Sequence, residues 1–281
     1  MELLGIFVTK RLLKLKSKSM AIGTALVTGA TSGIGEAFTR LLADKGYDLI
    51  LVARDEPRLQ DRAASLTTKY GIKAEVLRAD LTIFADCEKV EARLRSEVNP
   101  ISVLINNAGF GINKAFTVSG IEAETELLDV LVRAPMRLMH AVLPGMKKRN
   151  SGTIINVSSV AGWIAGGTYS AAKSYLTVLT ESVHTELTDT NVRVSALCPG
   201  FTRTEFHERG RMKMGGLPKF MWLDSDRVVT DSWKAAQSGK VLAIPGSQYK
   251  LLSFITRFGP RPLIRKMGMK VRLKQRHSPN S

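Results

Sequence analysis

Seven short apolar runs, separated mostly by helical stretches of roughly 12–25 residues, constrain this chain more than any other feature. The runs are Thr24–Thr28, Asp48–Ala53, Lys73–Ala79, Ser102–Asn106, Gly152–Ser158, Val192–Leu197 and Lys240–Ile244. They are rich in Val, Ile and Leu and largely continuous, the pattern of parallel strands covered on both faces. Strand–helix alternation of this length implies right-handed crossovers and a doubly wound parallel α/β sheet. Ligands of such sheets lie beyond the carboxyl ends of the strands. The residues that follow each strand are therefore the candidate functional residues. No repeat, linker or second domain interrupts residues 21–246.

After the first strand comes Thr28-Gly29-Ala30-Thr31-Ser32-Gly33-Ile34-Gly35, and a helix begins near Glu36. Glycines here let the chain turn tightly and let a pyrophosphate approach the amides of the helix N-terminus. The spacing is G-x-x-x-G-x-G rather than G-x-G-x-x-G. A glycine-rich turn can also be purely structural, but this one sits between the first strand and the first helix. The second strand ends at Ala53-Arg54-Asp55, with no acid where the ribose hydroxyls of NAD would be held. Arg54 suits the 2′-phosphate of NADP; the plainer alternative is a surface arginine paired with Asp55 or Glu56. Asp80-Leu81, after the third strand, suits contact with an adenine ring, and Asp80 also suits a helix cap ahead of Thr82. Asn106-Asn107-Ala108-Gly109, after the fourth, suits close approach to a dinucleotide or bonding between neighbouring loops.

The fifth strand ends at Ser158-Ser159. Tyr169 follows Ser159 by ten residues and Lys173 follows Tyr169 by four. Tyr169 opens a helix whose apolar stripe is Ala172, Leu176, Leu179, Val183 and Leu187. Residues i and i+4 share a helix face, so Tyr169 and Lys173 project together. An ammonium beside a phenol lowers the phenol's pKa and makes it a proton donor or acceptor for alcohol–ketone chemistry. On a surface helix the same pair is common decoration; its place after a serine-ended strand argues otherwise.

These motifs, with Pro199-Gly200, occur in an order that resembles the short-chain dehydrogenase/reductase family. The resemblance spans residues 22–246, about four-fifths of the chain, and implies a Rossmann-type fold. It implies Tyr169 as acid/base, Lys173 holding the nicotinamide ribose and tuning Tyr169, and Ser159 orienting the substrate carbonyl. It implies NADP as cofactor, held by Gly29, Thr31, Ser32, Gly33, Ile34, Gly35, Arg54, Asp80, Leu81, Asn107, Ala108 and Gly109. Tyr169, Lys173, Pro199, Gly200, Phe201 and Thr204 complete that set, with Phe201 and Thr204 flanking the nicotinamide. Two departures stand out. The family often carries Asn, supporting a relay water, where this chain has Leu131 in Leu131-Val132-Arg133-Ala134. The interval from Ser159 to Tyr169 is also slightly short, which trims the loop Trp163–Thr168; Ser158 is a weaker stand-in for Ser159.

Residues Phe201 to Asp226 fall where the family closes over its substrate. Phe206, Met212, Met214, Leu217, Phe220, Met221 and Trp222 give this stretch an apolar, Met-rich character, with Trp163 nearby. Arg203, Arg211 and His207 suit a carboxylate, phosphate or thioester carrier. Helices packed on the sheet are the plainer account. The expected activity is NADPH-dependent reduction of a carbonyl on a hydrophobic substrate, lipid-like 3-oxoacyl or steroid-like, or the reverse alcohol oxidation. A cofactor-binding protein with little turnover is the alternative, on the strength of Leu131. The two cysteines have no zinc-ligand spacing and fit a reducing compartment, so no metal is expected.

The net charge of +16 suggests nucleic acid until it is located. Residues 1–20 carry five bases and one acid, residues 245–281 nine bases and no acid, and residues 21–244 are near balance. No nucleic-acid motif accompanies the tails. Leu3 to Val8 is too short to span a bilayer, and its bases follow it, unlike a signal peptide. Met20 opens the compact domain, so residues 1–20 read as an extended gene start, a disordered leader or a basic surface helix. The tail 247–281 mixes Leu251, Leu252, Phe254, Ile255, Phe258, Leu263 and Ile264 with bases, and Pro260 and Pro262 split it into two helical pieces. It suits peripheral contact with an anionic membrane, or packing on the sheet or a partner subunit. The expected setting is a cytoplasmic homo-oligomer, peripheral at the membrane.

Overall fold

A computed structural model describes residues 21–205 and 218–276. The leader and the lid candidates Phe206, His207, Arg211, Met212, Met214 and Leu217 lie outside the described residues.

Seven parallel strands form one sheet in the order β3-β2-β1-β4-β5-β6-β7. They are β1 (Thr24–Thr28), β2 (Asp48–Ala53), β3 (Ala74–Arg78), β4 (Ile101–Asn106), β5 (Gly152–Val157), β6 (Val192–Leu197) and β7 (Leu242–Ala243). The helices are α1 (Gly33–Asp44), α2 (Glu56–Tyr70), α3 (Phe84–Arg95), α4 (Ile121–Leu128), α5 (Ala134–Lys148), α6 (Thr168–Glu186), α7 (Ser225–Gln237), α8 (Ser247–Phe258) and α9 (Arg261–Arg276). Pro260 lies between α8 and α9 and Pro262 falls in the first turn of α9, so the tail forms two helical pieces, as the sequence suggests.

The apolar runs are continuous because both sheet faces are covered. Ala25 and Val27 of β1 join one buried cluster with Phe38, Leu59 and Trp233, while Leu26 joins the other with Val90, Leu138 and Leu176. Helices α1, α2 and α7 thus cover one face, and α3, α5 and α6 the other. The last strand is shorter than its apolar run: Gly239 turns at φ +73° and the Lys240 N–H donates to Ala235 O of α7. Lys240 belongs to that helix exit, leaving Leu242 and Ala243 to pair with β6. Strand order reverses between β1 and β4, which opens a crevice at the carboxyl ends of these strands.

Candidate active site

The glycine turn links β1 to α1 inside that crevice. Gly29 and Gly33 have φ of +65° and +57°, where other residues are strained. Gly35 is needed for space: a Cβ there would lie 2.2 Å from Gly29 O and 2.4 Å from Asn107 Nδ2. Ser32 caps α1 in extended conformation without using its side chain on the helix amides. A helix N-terminus with uncommitted amides, behind a cradle that side chains would fill, fits a pyrophosphate. Asn107 Nδ2 donates to Thr28 O (3.0 Å) and Gly29 O (3.2 Å), while the Asn107 and Ala108 N–H groups donate to Thr28 Oγ1. Asn107 therefore holds the β1 and β4 loops together, which shapes the cradle.

Arg54 stands exposed at the end of β2, with Nη1 3.8 Å from Asp80 Oδ2. Asp80 closes a turn by accepting from Thr82 N and Thr82 Oγ1. It is not a helix cap, because α3 starts only at Phe84, after Ile83. Leu81 is buried beside it. Arg58 was not evident from sequence. Its Nη2 reaches Thr31 O at 3.4 Å, and its guanidinium pairs with Glu205 at 3.0 and 3.2 Å. The signal that places it is Asp55, the N-cap of α2, which accepts from the Arg58 N–H.

At the other end of the crevice, β5 delivers two serines with different fates. Ser158 is buried; its hydroxyl donates to Lys173 O and shares a 2.6 Å hydrogen bond with Thr177. Ser159 caps the 3₁₀ turn Val160–Trp163, accepting from Ala161 N, and is hydrogen-bonded with Tyr169. Lys173 is buried, donates to Val157 O at 2.6 Å, and has its ammonium 5.7 Å from the centre of the Tyr169 ring. Burial lowers the Lys173 ammonium to about 8, with Cys198 pulling weakly the other way. Burial pushes the Tyr169 phenol up to about 12, against a downward pull from Ser159. The expected lowering of Tyr169 is thus reversed: loss of solvent around the phenol outweighs the Ser159 hydrogen bond that pulls it down.

Leu131 lies in a widened π-turn, Asp129–Arg133, that joins α4 to α5. Its side chain is buried with Leu127 and Ala172, and a Cβ built on Gly109 would meet Leu131 Cδ2 at 2.7 Å. Beside it is a cavity of about 10 Å³, room for one water, bordered by Thr28, Asn106, Leu131, Val157 and Lys173. Asn106 Nδ2 donates to Asn156 Oδ1, whereas the buried Asn106 Oδ1 has no hydrogen-bond partner among the described residues.

The substrate-side segment is pinned at its base, where Thr202 pairs with Leu223. The rings of Phe201 and Trp222 meet at a tilt of 49°, their centres 6.0 Å apart, and Thr204 packs over Gly33. Pro199 O accepts from Val160 N, tying this loop to the serine turn. Trp163 is half-buried beneath the Arg257 guanidinium at 5.6 Å. Phe220 is instead 68% exposed. Tyr249 of α8 is fully buried and was not evident from sequence. Its hydroxyl accepts from Phe201 N and donates to Met221 O, and its ring fills the space over Gly200.

Residues 23–214 match the family model for short chain dehydrogenase. An NADP-dependent 3-hydroxy acid dehydrogenase, YdfG of Escherichia coli, is 36% identical over 187 residues, covering 64% of this chain and 73% of that protein. A short-chain dehydrogenase from Sphingobium yanoikuyae, solved in complex with NADPH, superposes with TM-score 0.77 at 31% identity, covering 92% of this chain and 99% of that one. A bulky-bulky ketone specific alcohol dehydrogenase from Comamonas testosteroni gives TM-score 0.74 at 28% identity, covering 92% and 97%. With its glycine cradle, its Ser159–Tyr169–Lys173 cluster and these matches, the chain belongs to the short-chain dehydrogenase/reductase family.

Proposed function

We propose that the protein is an NADP(H)-dependent oxidoreductase that reduces a carbonyl on a bulky apolar substrate, or runs the reverse oxidation. The observation that supports this most is Tyr169 joined to Ser159 over a buried Lys173, at the strand ends beside a pyrophosphate cradle. Bound NADPH supplies the hydride to the carbonyl carbon. Ser159 holds the carbonyl oxygen, and Tyr169 gives that oxygen its proton. A phenol pushed up to about 12 retains its proton at neutral pH, which suits the reducing direction. The Lys173 ammonium, anchored on Val157 O, offsets the charge left on the phenolate. The small cavity beside Lys173 and Asn106 Oδ1 has room for a water that can pass a proton from solvent back to the phenolate. Arg54, with Arg58 close by, holds the 2′-phosphate.

The substrate class draws support from Trp163, Phe201 and Trp222 around the Ser159 side, and from the ketone-specific relative. Lipid-like 3-oxoacyl and steroid-like ketones both suit these walls. The working form is a homo-oligomer, supported by exposed Tyr175 and Val178 on α6 and Met136 on α5, and its setting is cytoplasmic, supported by the two buried free cysteines. A rate panel with NADPH tests the class. Bulky apolar ketones should exceed short polar ones in kcat/KM by about tenfold or more, as apolar pockets discriminate by that order. Equal rates, or preference for small polar ketones, would contradict it.

Two further results are expected here. The profile of kcat/KM for NADPH against pH should bend downward near pH 8. The Lys173 ammonium is present below that pH and lost as pH rises through it. A bend only near the ordinary lysine value would show that burial does not act on Lys173. Leu131 is also the one observation that favours a cofactor binder with little turnover, and Leu131→Asn separates the two accounts. With the relay already complete, the new amide sits unpaired among Leu127, Ala172 and Gly109, costing about 1–3 kcal/mol of stability. Thermal denaturation should show a lower Tm with no gain in kcat; a large gain in kcat would show that the wild-type relay is broken.

A further inference from the structure

Helix α8 packs the Tyr249 ring and Leu252 toward the core but turns its larger apolar stripe outward. Its buried side is Tyr249, Ser253 and Thr256, three polar-bearing residues one helical face apart. Its apolar residues Leu251, Phe254, Ile255 and Phe258 follow the spacing i, i+3, i+4, i+7 and are all exposed, Phe258 by 72%. The rings of Phe254 and Phe258 touch at 5.0 Å on that outer face. An apolar stripe turned away from its own domain marks a binding surface.

We propose that this stripe and the bases around it dock the enzyme on an anionic lipid bilayer, beside the substrate side of the active site. Lys250, Phe254 and Arg257 share one edge of α8, and Arg261, Arg265 and Lys266 are exposed at the start of α9. Residues 245–281 hold nine bases and no acid. Apolar rings with long basic side chains suit the boundary between headgroups and acyl chains, where the bases reach anionic phosphates. A second copy fits this face poorly, since face-to-face pairing would set two acid-free basic tails against each other. No described helix is long and apolar enough to cross a membrane, so the contact is peripheral.

The surface adjoins the site. Helix α8 packs on the turn Val160–Trp163, Arg257 covers Trp163, and the backbone of α9 at Gly268 lies against Ala165 in the loop before Tyr169. Exposed Phe220, whose carbonyl accepts from Gln248, adds a ring at the start of α8. A docked enzyme would hold its substrate loops close to the bilayer and draw an apolar ketone from it. The docking itself does not depend on the reaction proposed above.

Co-sedimentation of the full chain with phosphatidylcholine vesicles, with and without phosphatidylglycerol, tests it. Binding is expected to anionic vesicles at low salt and to be released by high salt. The triple variant L251S/F254S/F258S should lose at least about tenfold in partitioning, with unchanged NADPH binding and rate on a water-soluble ketone. If that variant fails to fold, R261Q/R265Q/K266Q should show the same loss on anionic vesicles. Wild-type protein left in the supernatant at low salt would overturn the proposal. So would a triple variant that still binds but falls to a smaller oligomer, which would make the stripe a contact between copies. Binding to polyglutamate that matches vesicle binding and ignores the stripe would assign the surface to an acidic protein instead.

Discussion

Replacing Tyr169 with Phe is expected to lower kcat by about 10²–10⁴-fold while leaving NADPH affinity nearly unchanged. The change removes one oxygen. Its hydrogen bond with Ser159 goes with it, but the ring keeps its packing against the Leu131–Ala172 cluster. Lys173 stays anchored on Val157 O, and the glycine cradle does not involve Tyr169. Cofactor binding and chemistry therefore separate in this one variant, and a fluorescence titration beside a rate measurement shows both. A kcat within about threefold of wild type would mean that another group supplies the proton.

Arg54→Ala is expected to move cofactor preference from NADPH toward NADH. A charge-assisted bond to phosphate is worth roughly 1.5–3 kcal/mol. Arg54 is 69% exposed and has Asp80 as a competing partner, so the lower end applies. The ratio of kcat/KM for NADPH over NADH should fall by about tenfold. If Arg58 shares the phosphate, the double variant Arg54→Ala, Arg58→Ala should fall further. An unchanged ratio in both variants would place the 2′-phosphate elsewhere.

The strand ends were legible because a parallel sheet covered on both faces leaves long apolar runs, and because glycines, a Tyr-x-x-x-Lys helix and terminal serines carry local signals. The resemblance prefers Ser159 to Ser158, and the folded chain gives the reason: Ser159 is hydrogen-bonded with Tyr169, whereas Ser158 is spent on Lys173 O and Thr177. The π-turn at Asp129–Arg133 has no glycine or proline to announce it. Tyr249 depends on a partner, Gly200, far away in the chain, so no local pattern reveals it. The stripe of α8 has a clear period, but periodicity says which residues share a face and not whether that face turns inward. The protonation of Tyr169 misled for a related reason: spacing places the ammonium, whereas the loss of water around the phenol appears only once the chain is folded.

Transfer of label tests the central claim most directly. NADPH carrying deuterium at C4 of the nicotinamide, on the face that is transferred, is incubated with a bulky apolar ketone. The alcohol formed should carry one deuterium on its carbinol carbon, in step with loss of nicotinamide absorbance, and Tyr169→Phe should form almost none. Oxidation of NADPH without deuterium in the alcohol, or tight NADPH binding with no alcohol from any ketone, would contradict direct hydride transfer at this site.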